Sequence, residues 1–386
     1  MPDRTFLGYD EALLEAMGGA WTAQEIAHQP ATLRATQARL EAERPRIEAF
    51  LQPLLSQADL RVILTGAGTS GFIGDSLAPW LAARLQRRVD AVATTDLACA
   101  PDLYLAPGLP TLLVSFARSG NSPESVAAVE LANRLLPRVH HLAITCNGGG
   151  GLAQAVSGTE SGLVLVLPEA THDRGFAMTS SYTGMTLAAL SAFLGPDAMA
   201  GRVGSIADAV AAVIADHGPA LKAAADEGYD RVAYLGSHVM QGMAREAALK
   251  LMELTNGATV TLFDSPLGLR HGPKTFINQH TLVFLFLSND PYTRRYDLDL
   301  LDELRRDGEA RRIIVLTAQD GMDGPDHMRV HGLERAEDID LIFPYVAAAQ
   351  VFAFQQSARL GLTPDRPNAK GVVNRVVQGV RIHERL

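Results

Sequence analysis

Residues 111–125 read TLLVSFARSGNSPES, and this stretch carries the clearest chemistry in the chain. An apolar run from Thr111 to Val114 feeds a loop of small hydroxyl residues and glycine, Ser119-Gly120-Asn121-Ser122. A helix is expected next, with Ser122 as N-cap, Pro123 at the first helical position and Glu124 in the first turn. Such a junction turns backbone N–H groups and hydroxyls toward an anion at the positive end of a helix. The cup is small and suits a phosphate monoester better than a long polyanion. Arg118 in the same loop either neutralises a phosphate dianion by a charge-assisted contact or is a solvated loop arginine, and the sequence leaves both readings open.

A second loop of this kind precedes it. Gly66-Ala67-Gly68-Thr69-Ser70-Gly71 follows an apolar run and opens a helical segment. It matches the dinucleotide pattern GxGxxG, and Asp96 lies near the end of the following strand, where a ribose-binding acid would sit. Thr69 and Ser70, however, place two hydroxyls inside the loop. Two hydroxyl-rich loops after neighbouring strands are better explained by one phosphate held between them than by a nicotinamide cofactor.

Further along, Glu246-Ala-Ala-Leu-Lys250-Leu-Met-Glu253 puts Glu246, Lys250 and Glu253 on one face of a helix. The spacing of Glu246 and Lys250 reads as an i,i+4 ion pair on a surface helix. Glu253 near the helix end is expected to have its pKa raised by partial burial and the negative dipole end, which would suit a proton shuttle. His271, in Leu267-Gly-Leu-Arg-His-Gly-Pro-Lys274, lies on a loop constrained by glycine and proline after a strand, and is expected to face a site. Residues 172–181 cap the last helix of the first half, and Met178, Thr179 and Ser180 either line the same cleft or form a simple helix N-terminus. Lys370, in Arg366-Pro-Asn-Ala-Lys370-Gly-Val, reads from its own surroundings as a solvent-facing tail residue. No His/Cys cluster has metal-ligand spacing, and no GxSxG, Walker A or zincin pattern occurs.

These residues need a frame. Residues 10–58 read as helices, with Ala20 to Ile26 leading into His28-Gln29-Pro30 and a second helix from Ala31 to Arg44. Five short apolar runs then alternate with helices: Val62–Thr65, Val89–Thr94, Leu112–Phe116, His141–Thr145 and Leu163–Leu167. A long apolar helix, Ser180 to Leu194, closes this half. A second series follows at Arg231–Leu235, Val260–Phe263, Thr281–Leu287, Arg312–Leu316 and Leu341–Phe343. Strands alternating with helices argue for parallel sheets covered on both faces. The fold expected is α/β with two domains, each a parallel sheet in a three-layer αβα arrangement. A helical segment over 1–58 would precede domains at 59–205 and 215–365, with a tail over 366–386 reaching a neighbour. The halves form a weak repeat, since ILTGAGTSGFIGDSL and AYLGSHVMQGMAREA both run strand, glycine, helix.

The chain has 386 residues with 34 basic and 43 acidic side chains, a formal charge of −9. That balance argues against nucleic acid or an anionic membrane as partner. Two cysteines, Cys99 and Cys146, exclude a disulfide scaffold and a multi-cysteine metal site. No signal peptide is legible at the N-terminus and no run approaches a membrane span, so a cytoplasmic protein is expected.

Together these segments resemble the sugar isomerase (SIS) superfamily, best known from the isomerase half of glucosamine-6-phosphate synthase. The resemblance covers about residues 20–386. GAGTS and ARSGNS are similar to its two phosphate loops, which implies substrate-phosphate binding by Gly68, Thr69, Ser70, Ser119, Gly120 and Ser122. EAALKLME resembles its active-site helix, implying Glu253 as the C1–C2 proton shuttle and Glu246 as a second carboxylate. LRHGP implies His271 as the ring-opening histidine, contributed in that family by the partner subunit, so a homodimer is expected. PNAKGV implies Lys370 as the lysine that meets the sugar carbonyl. The family synthase has serine where this chain has Ala117, and Arg118 is expected to compensate. No glutaminase domain is expected either, which would run the chemistry toward ammonia release. The longer phrases VSFARSGNSPESVAAVELAN, LPEATHDRGFAMTSSYTG and GAGTSGFIGD resemble the tagatose-6-phosphate ketose/aldose isomerase and amino-sugar-6-phosphate deaminase group. This implies a deaminase on galactosamine or glucosamine 6-phosphate that needs no metal or redox cofactor. The alternatives are a plain aldose–ketose isomerase and a non-catalytic sugar-phosphate sensor.

Overall fold

The computed structural model describes residues 5–322, 324–377 and 379–384, so Gln378, Arg385 and Leu386 of the expected tail lie outside it. A two-strand hairpin, β1 (Thr5–Phe6) with β2 (Tyr9–Asp10), precedes α1 (Glu11–Ala16), α2 (Ala20–Ala27), α3 (Gln29–Ala42) and α4 (Arg44–Leu55). The chain divides into two compact units, one of residues 31–173, 180–203 and 371–386 and the other of residues 1–30, 174–179 and 204–370.

The first unit holds β3 (Arg61–Thr65), β4 (Arg88–Ala91), β5 (Thr111–Ala117), β6 (Val139–Thr145) and β7 (Gly162–Val166) in the order β4-β3-β5-β6-β7, all parallel. Between them run α5 (Thr69–Leu85), α6 (Thr94–Cys99), α7 (Pro101–Tyr104), α8 (Pro123–Leu135) and α9 (Gly151–Ser157), and α10 (Ser180–Leu194) follows. β3 and β5 are buried at every position, which is why they read as unbroken apolar runs rather than alternating ones. Ile63 and Leu113 pack with Leu97, Ala128 and Ala132 of α6 and α8 on one face. On the other face α5 approaches so closely that a Cβ on Gly74 would lie 3.2 Å from Leu64 Cβ. α10 has fourteen of its fifteen residues buried, its apolar residues interleaved with small hydroxyl residues that hydrogen-bond internally.

The second unit repeats the plan. β8 (Arg231–Gly236), β9 (Val260–Asp264), β10 (Thr281–Phe286), β11 (Arg312–Thr317) and β12 (His327–Arg329) pair in parallel in the order β12-β11-β10-β8-β9. α11 (Pro196–Asp216), α12 (Gly218–Glu227), α13 (Val239–Leu254), α14 (Pro266–Leu269), α15 (Thr293–Asp307) and α16 (Asp338–Arg359) complete the chain. Leu300, Leu301 and Leu304 of α15 pack on Leu235, Val283 and Leu285. On the opposite face Phe284 meets Phe352 of α16 edge-on at 5.0 Å, and Phe286 stacks with Tyr345 at 5.6 Å.

Three expectations are corrected. Leu341–Phe343 is not a strand. It lies in α16, a helix buried along 338–357, and the fifth strand is the short His327–Arg329. A three-residue apolar run has no period of its own, and only the length of the surrounding apolar stretch identifies the helix. The second N-terminal helix begins at Gln29 rather than Ala31 and ends at Ala42. α11 is also long and apolar enough, by length and composition, to cross a membrane. Its Ile206, Ala207, Val210 and Val213 are buried in the protein.

The strand–glycine–helix turns set the most stringent packing condition. A Cβ on Gly66 would fall 2.5 Å from the Ser70 carbonyl carbon, and one on Gly236 2.7 Å from Met240 Cβ. Gly66→Ala should therefore displace the first turn of α5 and cost about 2 kcal/mol or more. Thermal unfolding checks this, and an unchanged Tm would show that the turn relaxes freely.

Candidate functional site

In an open parallel sheet the ligand crevice lies beyond the carboxyl ends of the strands, where the strand order reverses. In the first unit that point is between β3 and β5, and the two hydroxyl-rich loops leave those strands side by side. Gly68 caps α5 with φ +55°, a conformation side chains resist, and lets Thr69 and Ser70 begin the helix. Gly71 serves the close strand–helix approach, since a Cβ there would lie 2.9 Å from Gly66 O. The glycine spacing thus has a packing cause independent of any dinucleotide.

After β5, Gly120 turns with φ +67° and Ser122 is the N-cap of α8, followed by Pro123 and Glu124 in the first turn. The loop is braced from behind. Asn147 Nδ2 donates to Ser119 O at 2.8 Å, Leu152 N to Gly120 O at 2.8 Å, and Gly151 N to Asn121 Oδ1 at 2.9 Å. Ser122 Oγ lies 2.6 Å from Ser125 Oγ. Beneath the loops Thr65 and Ser115 are register partners at the last pair of the β3–β5 ladder. Both are buried, and neither hydroxyl has a partner among the described residues. Arg118 is not a solvated loop arginine: it is 6% exposed, and its Nη2 donates to Arg375 O at 2.7 Å.

The equivalent point of the second unit, between β8 and β10, is arranged oppositely. Ser237 Oγ donates to Asp297 Oδ1 at 2.5 Å, and Ser288 N to Asp297 Oδ2 at 3.0 Å. Asn289 N donates to Asp338 Oδ1 at 2.6 Å, Ser288 Oγ bonds Asp338 Oδ2, and His238 Nε2 lies 2.8 Å from the same oxygen. Burial raises the pKa of Asp297. Two of the unit's own carboxylates therefore occupy the amides and hydroxyls that an incoming anion would need.

The second unit instead supplies carboxylates on α13. Glu246 and Lys250 are 0% and 1% exposed, so the expected surface ion pair is a buried one, packed in the interface of α13 with α16. Lys250 Nζ lies 3.5 Å from Glu246 Oε1 and donates to Glu253 Oε2. Glu253 remains 24% exposed and belongs to the last turn of the helix. Glu253 Oε2 thus accepts from a buried ammonium. The spacing places Lys250 on this face without marking it as a site residue; the legible signal is a lysine flanked by alanine and leucine on a helix otherwise built for packing.

Asn368 Nδ2 donates to Asn256 Oδ1 at 3.1 Å, which ties the segment carrying Lys370 to the turn just after Glu253. Lys370 and His271 are both exposed. His271 follows α14, where Gly272 turns with φ +123°. Thr179 and Ser180 are fully buried, and Ser180 spends its N–H and Oγ on Asp173 Oδ1, so Ser180 is a helix-cap residue rather than an exposed lining. Met178 is half-buried. Among the described residues no group of three or more His, Cys, Asp or Glu side chains is arranged to hold a metal ion.

The chain resembles known proteins over nearly its whole length. The SIS domain family matches residues 54–195. D-galactosamine-6-phosphate deaminase AgaS of Escherichia coli is 47% identical over 371 residues, 95% of this chain and 97% of that protein. The protein of the same name from Shewanella sp. (strain ANA-3) is 41% identical, covering 96% of this chain and 93% of that one. The crystal structure of tagatose-6-phosphate ketose/aldose isomerase from Escherichia coli superposes with a TM-score of 0.88 at 44% identity, covering 97% of this chain and all of that one.

The buried triad yields a direct test. Lys250→Met leaves two carboxylates without their cation and should cost about 3–5 kcal/mol, whereas Glu246→Gln with Lys250→Met should cost less than the sum of the single changes. Denaturant unfolding of the three variants measures the coupling, and strict additivity would mean that the pair does not interact.

Proposed function

The chain belongs to the SIS domain family, and on that premise we propose that it is an amino-sugar-6-phosphate deaminase. Its substrate is a 2-amino-2-deoxyhexose 6-phosphate, galactosamine 6-phosphate first, with glucosamine 6-phosphate the other epimer to try. The products are the ketose 6-phosphate and ammonia.

The reaction follows from the groups present. Gly68, Thr69, Ser70, Ser119, Gly120 and Ser122, with Arg118, hold the phosphate at two helix N-termini. His271 opens the pyranose ring by proton transfer. Glu253 takes the proton from C2 of the open-chain amino-aldose and returns one to C1. The C1 carbonyl oxygen gains a proton as the enolamine forms, and Lys370 stands near that oxygen. Protonation at C1 leaves an iminium at C2. Water adds to that carbon, the C–N bond breaks, and ammonia departs with the nitrogen's electron pair. Glu246 acts through Lys250, keeping the ammonium in register with Glu253. Holding the phosphate remote from the reacting carbons lets binding energy orient C1 and C2. The enzyme works as a homodimer, with His271 supplied to the neighbouring subunit, and is cytoplasmic.

The observation that carries this reading is the row of Glu246, Lys250 and Glu253, a buried ammonium bonded to a carboxylate that stays 24% exposed. A sensor that only binds a sugar phosphate has no use for a base held at that cost. A plain aldose–ketose isomerase would use the same residues without losing nitrogen, and the name of the structural neighbour from Escherichia coli favours keeping it as the second reading. Ammonia release from galactosamine 6-phosphate and glucosamine 6-phosphate distinguishes the two. Glu253→Gln is expected to lower kcat by about 10²–10⁴ with KM little changed, since it removes a proton carrier and spares the phosphate loops. An unchanged kcat would remove Glu253 from the reaction.

A further inference from the structure

We propose that Arg375, in the C-terminal segment, is a further binding residue for the substrate's phosphate, acting as a second cation beside Arg118. The proposal rests on the phosphate-loop reading above and adds a residue that no loop motif contains.

Arg375 is brought to the loop by its own backbone. Its carbonyl accepts from Arg118 Nη2 at 2.7 Å, and its guanidinium Nη2 donates to the carbonyl of Asp173. All three residues belong to the first unit. Beyond them, Val380 to Glu384 form one wall of a cavity of about 930 Å³ whose other walls include Glu124, Ala127 and Leu131 of α8. The segment thus faces α8 across this cavity and is tied to the residue after β5 through Arg118.

The charge balance at this point is unusual. The Arg118 guanidinium, just after β5, bonds the backbone of Arg375, which brings a second arginine next to it in a chain whose formal charge is −9. Arg375 forms no ion pair among the described residues, and its Nε is buried without a hydrogen-bond partner. The carboxylate of Asp173 already accepts from the N–H and Oγ of both Ser180 and Ser181. His172 registers the surplus: after burial, the charges of Arg375 and Arg118 are what lower its pKa. A guanidinium with a buried, unanswered N–H and no ion pair calls for an anion. A phosphate dianion seated in the Ser119–Ser122 loop supplies one. Ala117 brings no hydroxyl to this loop, so charge takes the place of a neutral donor.

Two substitutions separate charge from tethering. Arg375→Gln retains an N–H donor for the Asp173 carbonyl but loses the charge, whereas Arg375→Lys retains the charge. Measured on galactosamine 6-phosphate, Gln is expected to raise KM about tenfold or more with kcat little changed, and Lys to restore most of that loss. The inhibition constant for inorganic phosphate should rise in parallel, while ammonia release from unphosphorylated galactosamine should not change. Equal effects of Gln and Lys, an unchanged KM and phosphate inhibition in the Gln variant, or an equal loss on the unphosphorylated sugar would overturn the proposal. Thermal stabilisation by inorganic phosphate reads the same site without turnover. If the parent protein releases no ammonia but is stabilised by phosphate, and Arg375→Gln abolishes that stabilisation, the deaminase reading fails while the role of Arg375 stands. A parent protein that phosphate neither inhibits nor stabilises overturns both.

Discussion

Hydrogen-bond donors at the carboxyl edge of a parallel sheet must be met by something, and the two sheets of this protein meet that demand in opposite ways. At the β8–β10 switch point the donors of Ser237, Ser288 and Asn289 are taken by Asp297 and Asp338, drawn from α15 and from the first turn of α16. At the β3–β5 switch point the buried hydroxyls of Thr65 and Ser115 have no hydrogen-bond partner among the described residues. An unsatisfied buried polar group costs on the order of 1–3 kcal/mol, so the arrangement makes sense if a ligand supplies the missing partner. The two units share strand order, and what differs between them is whether an internal acid fills the crevice.

With its crevice closed by its own side chains, the second unit is free to specialise in carboxylate chemistry on α13. A fully buried lysine is tolerable only if its charge is answered, and Glu246 and Glu253 answer it from the adjacent turns. Burial of α13 against α16 is the condition for this. α16 is apolar enough to be covered over 338–357, and it fixes the helix face on which the triad lies. Packing precision in a greasy helix is thereby converted into positional precision at a carboxylate some turns away.

How far the sequence discloses this depends on the range of each cause. Ser122, Pro123 and Glu124 are legible because a cap is a local event, decided within four residues. The ten strands of the two sheets are nearly all legible because both faces are covered and apolar runs result; the exceptions are His327–Arg329, three residues on a sheet edge, and Leu341–Phe343, whose apolar character belongs to a buried helix. The burial of Lys250 is not legible, since Glu and Lys four apart look the same on a surface helix until α16 is laid over them. Asp297 and Asp338 are hidden for the same reason: they act on residues about 60 and 50 positions away. Arg375 follows a tail read only for Lys370, and its partners Arg118 and Asp173 are more than 200 residues distant.

An acidic chain that takes up a dianion has to do so against its own mean charge. At physiological ionic strength fields decay over about 8 Å, so carboxylates farther off contribute little and the groups within a few ångströms decide the outcome. The Ser119–Ser122 loop has the N-terminus of α8 and the buried Arg118 beside it. The remaining acids then serve a different purpose, since a surface of net negative charge discourages nucleic acids and other large polyanions from competing for the same pocket. A local concentration of donors combined with a global charge of the opposite sign would favour a small phosphate over a large polyanion, and neither alone would do so.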